Sequence, residues 1–428
     1  MFVTILLAVF TATVVVTAIY SMLSLIGSSV YDIDLIQQAK KPTFVSKTKI
    51  RRYRPLVSII IPVFNEEVGI KRCLDGLGKI KYKKIEIIVA NDKSTDATKE
   101  IVKNYIKKNP SRNIKLVCKR KNGGRGAAIN LGIKHANGEI ITAFDADCVF
   151  DKNSIHKLVA HFADDRVAAV AANVRVMDNG TVLSMLQKLE YLISFRSKKF
   201  NTITNSEYII GGAGASYRQS IMQKERGFDE SMKTEDIEFS MRIAKNNGAK
   251  ARLIYASDYL VHTEPVPTYA GLFKQRYRWK FGSLQALYKN KSLVLSRNID
   301  QNIFLSWVRL PLAVWSEVML LLEPILFSLF VYIALVGKNP WLFISACMAY
   351  AVVAWLAIWS DEHYSYATKL KLSFLAPFMY IASFVISIIQ VLAAFKCITS
   401  FASIVGKIKV DGSYASTERF KNSLEASV

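Results

Sequence analysis

Two aspartates, Asp145 and Asp147, follow directly on the apolar run Ile140–Phe144. Carboxylates at that spacing on a strand end can share a hard divalent cation, Mg2+ or Mn2+, that also neutralises a diphosphate. Such ions take oxygen ligands and keep open positions for phosphate. The same stretch also reads as a turn rich in Asp. Asp92 ends a second apolar run, in Asn91-Asp92-Lys93-Ser94-Thr95-Asp96. An acidic side chain there can accept hydrogen bonds from a base or ribose, while Ser94 to Asp96 suit the cap of the next helix. Thr234-Glu235-Asp236 precedes the helical run Ile237–Ala244. Asp236 suits a general base that takes a proton from an acceptor hydroxyl. The plainer account makes Thr234 an N-cap, with Glu235 and Asp236 complementing the positive helix end. Gln275-Arg276-Tyr277-Arg278-Trp279 joins guanidinium groups, which bind phosphate oxygens bidentately, to a flat indole face that a sugar ring can meet. The same residues fit an aromatic-basic belt beside a membrane.

Other signals are weaker. Asn122-Gly123-Gly124-Arg125-Gly126-Ala127-Ala128 matches neither a Walker A loop nor GxGxxG. It reads as a loop-to-helix entry whose Arg125 and backbone donors approach ligand phosphates. His262 and Glu264 resemble an HxE metal fragment without a third ligand and are read as structural. Cysteines at 73, 118, 148, 347 and 397 form no CxxC and no His-paired spacing, so neither a disulfide framework nor a zinc site is indicated.

The elements that position these groups alternate. Val57–Val63, Ile85–Ala90, Ile114–Cys118 and Glu139–Phe144 read as strands, the first buried on both faces. Helical patterns lie between them, over Asp96–Lys107 and 127–136. This rhythm predicts an α/β fold with a doubly wound, mostly parallel sheet, whose ligands bind at the carboxyl ends of the strands. Asn65-Glu66-Glu67, Asn91-Asp92 and Asp145-Ala146-Asp147 all fall at such ends.

Apolar residues make up 51% of the chain but crowd into its two ends. Residues 2–30 carry no Lys or Arg and supply the ~20 apolar positions a spanning helix needs. Basic residues follow (Lys40, Lys41, Lys47, Lys49, Arg51, Arg52, Arg54), which predicts a retained anchor and a cytoplasmic domain after it. Leu312–Val336, Trp341–Trp359 and Leu372–Ala394 are each long enough to span, with 300–311 as an interfacial lead-in. Glu317 and Glu323, inside the first run, are expected to face protein or a polar channel. Four crossings from an outward N-terminus put the tail outside, yet Lys396, Lys407, Lys409, Arg419 and Lys421 argue for inside. The organisation expected is an anchor over 1–30, a cytoplasmic domain over 31–300, transmembrane helices over 301–400 and a basic tail over 401–428. A net charge of +23 then suits an anionic bilayer surface and anionic phosphate substrates. A nucleic-acid binder is disfavoured: no recognition helix or RNP-like aromatic strand is visible.

In their order, VSIIIPVFNEE (Val57–Glu67), Asp92, Asp145–Asp147, Thr234–Asp236 and QRYRW (Gln275–Trp279) resemble processive family 2 glycosyltransferases: cellulose, chitin, hyaluronan and poly-N-acetylglucosamine synthases. KQRYRWKFG (Lys274–Gly282) and Asp361-Glu362-His363-Tyr364 are most similar to the bacterial poly-β-1,6-N-acetylglucosamine synthases. The resemblance covers roughly 55–290 and implies a GT-A-like domain in the plasma membrane that builds a polysaccharide. It further implies a UDP-sugar donor, UDP-N-acetylglucosamine first, and a divalent metal, and it leaves room for an accessory membrane or export subunit. Asp92 would contact uracil or ribose, with Asn65 and Glu67 lining the same crevice. Arg125 would reach the diphosphate, where many relatives carry Lys. Asp145 would help hold the nucleotide and Asp147 would ligate the metal. Gly212 and Gly214, within Gly211–Ser216, would floor the acceptor site together with Glu235 and Trp279. Asp236 would be the catalytic base, and Gln275, Arg278 and Trp279 would bind the pyrophosphate and the acceptor end. The alternative is a non-processive transferase that adds one sugar to a lipid carrier.

Overall fold

The computed structural model describes residues 15–16, 19–33 and 47–405. A helix over 19–33 (α1) precedes a short basic helix, α2 (Lys47–Arg52). The central domain then runs β1 (Val57–Val63), α3 (Ile70–Leu77), β2 (Ile85–Asn91), α4 (Thr98–Lys108), β3 (Ile114–Cys118), α5 (Gly124–Lys134), β4 (Ile140–Ala143) and β5 (Cys148–Phe150). It continues through α6 (Ser154–Phe162), β6 (Val167–Val176), α7 (Val182–Ile203), β7 (Ala215–Arg218), α8 (Gln219–Lys224), α9 (Glu235–Asn247), β8 (Arg252–Thr263) and α10 (Tyr269–Lys289). Apolar helices α11 (Leu310–Val336), α12 (Pro340–Trp359) and α13 (Tyr366–Thr399) follow, ending in a single turn, α14 (Phe401–Ile404).

The strands form one eight-stranded sheet in the order β3-β2-β1-β4-β7-β6-β8-β5. The first half, β3-β2-β1-β4, is wholly parallel. The second half is mixed, because β7 runs antiparallel to β4 and β6, and β5 antiparallel to β8. Reversal at β7 and at β5 is the departure from a simple doubly wound sheet. Alternation along β1 explains its apolar run: Ile59 and Ile61 pack with Ile70 and Leu74 of α3, while Ile60 packs on the other face with Ala128 and Ile129 of α5.

β1 and β3 coincide with the expected strands, and β2 and β4 differ only at their ends. Helix α5 differs more, since it begins at Gly124 rather than 127 and makes the glycine-rich segment its first turn.

The apolar helices are packed onto this domain. Leu186, Leu189 and Leu192 of α7 and Leu272 of α10 share a buried cluster with Ala351, Ala354 and Ile358 of α12 and Leu372 and Ile386 of α13. Among the described residues one window, Leu305–Leu322, is long and apolar enough to cross a bilayer; Phe343–Trp359 and Phe384–Thr399 are shorter apolar helices. Of the four spans expected from the sequence, such a window is found for one, at the start of α11. Most of the anchor at 1–30, the lysines at 40 and 41, and the tail residues Lys407, Lys409, Arg419 and Lys421 lie outside the described residues, as does the Glu323 side chain. The lead-in at 300–311 contains a π-helical turn, Leu305–Arg309, that runs directly into α11.

A half-buried ion pair makes the fold's stability depend on pH. His161 Nε2 lies 2.7 Å from Asp258 Oδ1. Burial favours the neutral imidazole, but Asp258 outweighs it and raises the pKa of His161. Burial likewise opposes the charge of Asp258, and His161 lowers its pKa in turn. The histidine contribution is complete below its unfolded pKa of ~6.5 and is lost as pH rises through its higher folded value. The aspartate contribution is present above its unfolded pKa and is lost as pH falls through its lower folded value. Asp258→Asn is therefore expected to cost roughly 1.5–3 kcal/mol near pH 6 and clearly less near pH 9. Thermal melts at the two pH values check this, and equal losses would refute it.

Candidate active site

The Asp145–Asp147 segment is a tight turn between β4 and β5, closed by Cys148 N–H donating to the Asp145 carbonyl at 3.1 Å. Phe144 and Phe150 stack beneath it at 3.9 Å between ring centroids, which fixes the turn against the core. Both carboxylates are half-buried, while Phe144, Ala146 and Cys148 between and beside them are buried.

Arg125, in the first turn of α5, reaches across to this turn. Its Nε donates to Asp145 Oδ1 at 2.9 Å, and its Nη1 pairs with Glu235 Oε1 at the start of α9. One guanidinium thus joins two acidic motifs that are far apart in the chain. Its Nη2 is buried and has no hydrogen-bond partner within the protein. Burial would lower the Arg125 pKa, but Asp145, Glu235 and Asp236 outweigh it and hold the group charged. Burial raises the pKa of Glu235, Arg125 pulls it down, and neighbouring Asp236 pushes it up again. The first turn of α5 also needs small residues: a Cβ on Gly126 would stand 3.2 Å from Glu235 Cγ.

Asp92 is 2% exposed and is directed at the same helix end. Its Oδ2 accepts from Gly124 N–H at 2.7 Å and its Oδ1 from Gly123 N–H at 3.0 Å, with Lys119 Nζ 3.6 Å away. A carboxylate on the amides of a helix N-terminus is favourable by both charge and hydrogen bonding. Asp92 therefore shapes the cradle in which Arg125 sits. Asn65 and Glu67, at the end of β1, tie that loop to the loop after β2. Asn65 Oδ1 accepts from Thr95 N–H at 2.9 Å, and Glu67 Oε2 from Ala97 N–H at 3.0 Å. Asn65 takes a left-handed φ of 55°, which Asn tolerates better than most residues.

Asp236 is held from two sides: Oδ2 accepts from Gly212 N–H and Oδ1 from Ile237 N–H, each at 2.9 Å. Gly212 sits at φ +80° with open space where a side chain would be. Gly214 N–H donates to the Ala143 carbonyl at 2.8 Å, so the glycine segment joins the end of β4 to the start of α9. Thr234 occupies the N-cap position, but its hydroxyl makes no cap bond and is buried without a partner. The expected Thr cap is absent because α10 presses on this residue: a Cβ on Gly282 would collide with Thr234 Oγ1.

That close approach brings in the last motif. Gln275, Arg278, Gly282 and Gln285 recur along one side of α10, and Gln285 Oε1 accepts from Lys233 N–H at 3.2 Å. The half-buried Gln275, Arg278 and Trp279 stand one to two turns N-terminal of the Gly282–Thr234 contact. Gly282→Ala is expected to destabilise the protein by about 1–3 kcal/mol, despite the ~1 kcal/mol that Ala gains in helix propensity. A melt that rises instead would mean that α10 does not bear on Thr234.

The donor set decides which metal fits. Asp145 and Asp147 offer oxygen ligands only. Burial, and next the Asp147 charge, push the Cys148 thiol well up, so it remains a donor toward Asp147 Oδ1 at 3.1 Å. Among the described residues no group of three His, Cys, Asp or Glu side chains gathers to hold an ion. One or two carboxylates fit Mg2+ or Mn2+ that complete their shell with diphosphate oxygens and water. Glu264 pairs with Arg72 on α3.

Sequence reasoning missed Glu190, whose Oε2 accepts from Arg276 Nη2 at 2.6 Å. It is one of many polar positions on α7, and nothing local marks it. It also missed the bridging role of Arg125, for which the opposite charges of Asp145 and Glu235 were the available signal.

Residues 58–226 match the model of the family "Glycosyl transferase family 2". The chain is 29% identical over 244 residues to the poly-beta-1,6-N-acetyl-D-glucosamine synthase of Staphylococcus epidermidis (strain RP62A), a match covering 55% of this chain and 56% of that protein. It is 28% identical over 244 residues to the synthase of the same name from Staphylococcus aureus (strain COL). The chain thus spans about half the length (56%) of the curated relatives it matches. Among solved structures, the mannosyltransferase PcManGT from Pyrobaculum calidifontis, in complex with GDP-Man and Mn2+, aligns with a TM-score of 0.56 at 21% identity. That alignment covers 92% of this chain and 98% of the other, and it shows a shared fold.

Proposed function

We propose, from the family 2 glycosyltransferase domain that residues 58–226 form, that this protein is a membrane-embedded, inverting and processive transferase. Its donor is a UDP-sugar, UDP-N-acetylglucosamine first, and its product is a β-linked polysaccharide passed through the membrane. One observation carries the reading: Arg125 bonds both Asp145 and Glu235, residues 110 apart in sequence in the latter case, beside Asp236. The Staphylococcus relatives support the choice of sugar.

Asp236 takes the proton from the acceptor hydroxyl as that oxygen attacks the anomeric carbon. The new C–O bond forms opposite the leaving diphosphate, whose C–O bond breaks, and the configuration inverts. Asp147, with Asp145, would hold Mg2+ or Mn2+, which when bound offsets charge on the departing UDP as a Lewis acid. Arg125 and Arg278 supply further positive charge to that group. Asn65, Glu67 and Asp92 line the nucleotide crevice, and Gly212, Gly214, Glu235, Gln275 and Trp279 receive the acceptor end.

A second reading rests on its own observation. A channel for an emerging chain needs several helices, and one candidate span stands among the described residues. That favours a transferase adding a single sugar to a lipid carrier. Incubating detergent-solubilised protein with individual labelled UDP-sugars, and reading UDP release together with product mass, separates the two. A ladder or polymer from UDP-N-acetylglucosamine, lost in Asp147→Ala, is the expected result. One fixed mass increment establishes the second reading, and no release from any sugar nucleotide sinks both.

A further inference from the structure

Arg276 occupies the variable second position of the Gln275–Trp279 motif, yet it is the most deeply placed of its polar groups, at 5% exposure. Its guanidinium carbon lies 4.3 Å from the centroid of the Trp279 ring, and its Nη2 donates to Glu190 Oε2 on α7 at 2.6 Å. Its Nε is buried and has no partner within the protein. Arg278, the arginine that motif reasoning selects, makes no ion pair among the described residues. The two arginines of QRYRW therefore do different work.

We propose that Glu190 and Arg276 are positioning residues that hold the Trp279 indole in the orientation that receives the acceptor sugar. This rests on the transferase reading given above. The physical argument starts from cost. A guanidinium this deeply buried needs a counter-charge, and Glu190 supplies one in a short charge-assisted bond. The fork of Arg276 is planar and its Cζ stands over the indole, so a carboxylate that pins one of its nitrogens limits how far the group can turn away from the ring. A lysine ammonium in its place could pair with Glu190 but would present no plane to the ring. With one indole face covered by Arg276, the remaining surface of the half-buried ring is what a sugar can meet. Glu190 and Arg276 come from different helices, so the pair also fixes how α7 and α10 meet. The apolar cluster shared by Leu186, Leu189 and Leu192 of α7 and Leu272 of α10 keeps those helices together without it. Removing the pair should thus loosen the indole and leave the domain folded.

Two variants of the full-length protein in detergent test the assignment. Glu190→Gln removes the counter-charge at constant size. Arg276→Lys keeps the charge and loses the plane. Both are expected to raise the acceptor KM about 10-fold, the scale of one lost aromatic contact, with donor KM unchanged. Both are also expected to change the emission contributed by Trp279, taken as the difference from the same protein carrying Trp279→Phe. If either variant is too unstable to purify, the other carries both readouts. A lower melting point with acceptor KM and Trp279 emission at wild-type values would mean a merely structural pair and overturn the proposal. Should the wild-type protein transfer no sugar, the transferase reading fails by itself. The emission measurement then still decides whether Glu190 holds the indole.

Discussion

Replacing Asp236 by Asn is expected to lower kcat by about 10²–10⁴-fold, the usual contribution of a positioned general base, while donor affinity stays at its wild-type value. The geometry gives this variant its force. Both oxygens of Asp236 are engaged by backbone N–H groups, from Gly212 and from Ile237, each at 2.9 Å. The carboxylate is thus aimed by the glycine floor on one side and by the start of α9 on the other. An amide of the same shape keeps the aim at one oxygen but cannot accept a proton. It also turns an N–H toward one of those donors, at a cost of about 1–3 kcal/mol. The kinetic comparison therefore needs a melting curve beside it, and a donor titration to show that the nucleotide crevice is intact. Loss of turnover with a folded, donor-binding protein assigns the base. Near-wild-type turnover with donor binding intact would remove Asp236 from the chemistry and leave it as a tie between Gly212 and α9.

How far the sequence foretold this site depends on how local each signal was. β1 was legible to the residue, because a strand buried on both faces is apolar almost throughout and stops where polar punctuation begins, while the half-exposed edge strand β3 stood out as a short run between polar residues. The start of α5 was not legible. Gly123 and Gly124 read as loop, and they stand at the N-cap and first position of the helix, where their N–H groups donate to the carboxylate of Asp92, 31 and 32 residues upstream. Thr234 misled for the same reason: its residue type is right for a cap, but a neighbour on α10 presses on its side chain. Asp145, Glu235 and Arg125 were each visible as charged residues in motifs, and only the folded chain makes them one cluster. The apolar ends of the chain were obvious as composition. Their number of crossings was not, because packing on α7 and α10 buries apolar surface of α12 and α13 as a membrane would.

Arg125 carries the second large effect. Its removal, as Arg125→Met, is expected to lower kcat/KM by about 10²–10³-fold and to move the acid limb of the pH profile to higher pH. The first part follows from the group that is lost, a guanidinium whose buried Nη2 has no hydrogen-bond partner within the protein, beside the acidic turn. The second follows from what is left behind. Burial already raises the pKa of Glu235, and Arg125 is the group that holds it down against burial and against Asp236. Without that charge Glu235 stands beside Asp236 uncompensated, and it takes up a proton at a higher pH than in the wild type. Stability must move with the same sign. Breaking a buried pair costs about 3–5 kcal/mol while the partner stays charged, and protonation relieves that cost. The variant should therefore lose more stability relative to wild type as pH rises through the raised pKa, and less below it. Arg125→Lys restores a charge but not the fork that reaches Asp145 and Glu235 at once, so it should recover the pH profile better than the rate. Melting curves and kcat/KM profiles for the two variants over the same pH range decide the matter. An acid limb that stays in place in Arg125→Met would mean that Arg125 does not set the ionisation of the acidic cluster.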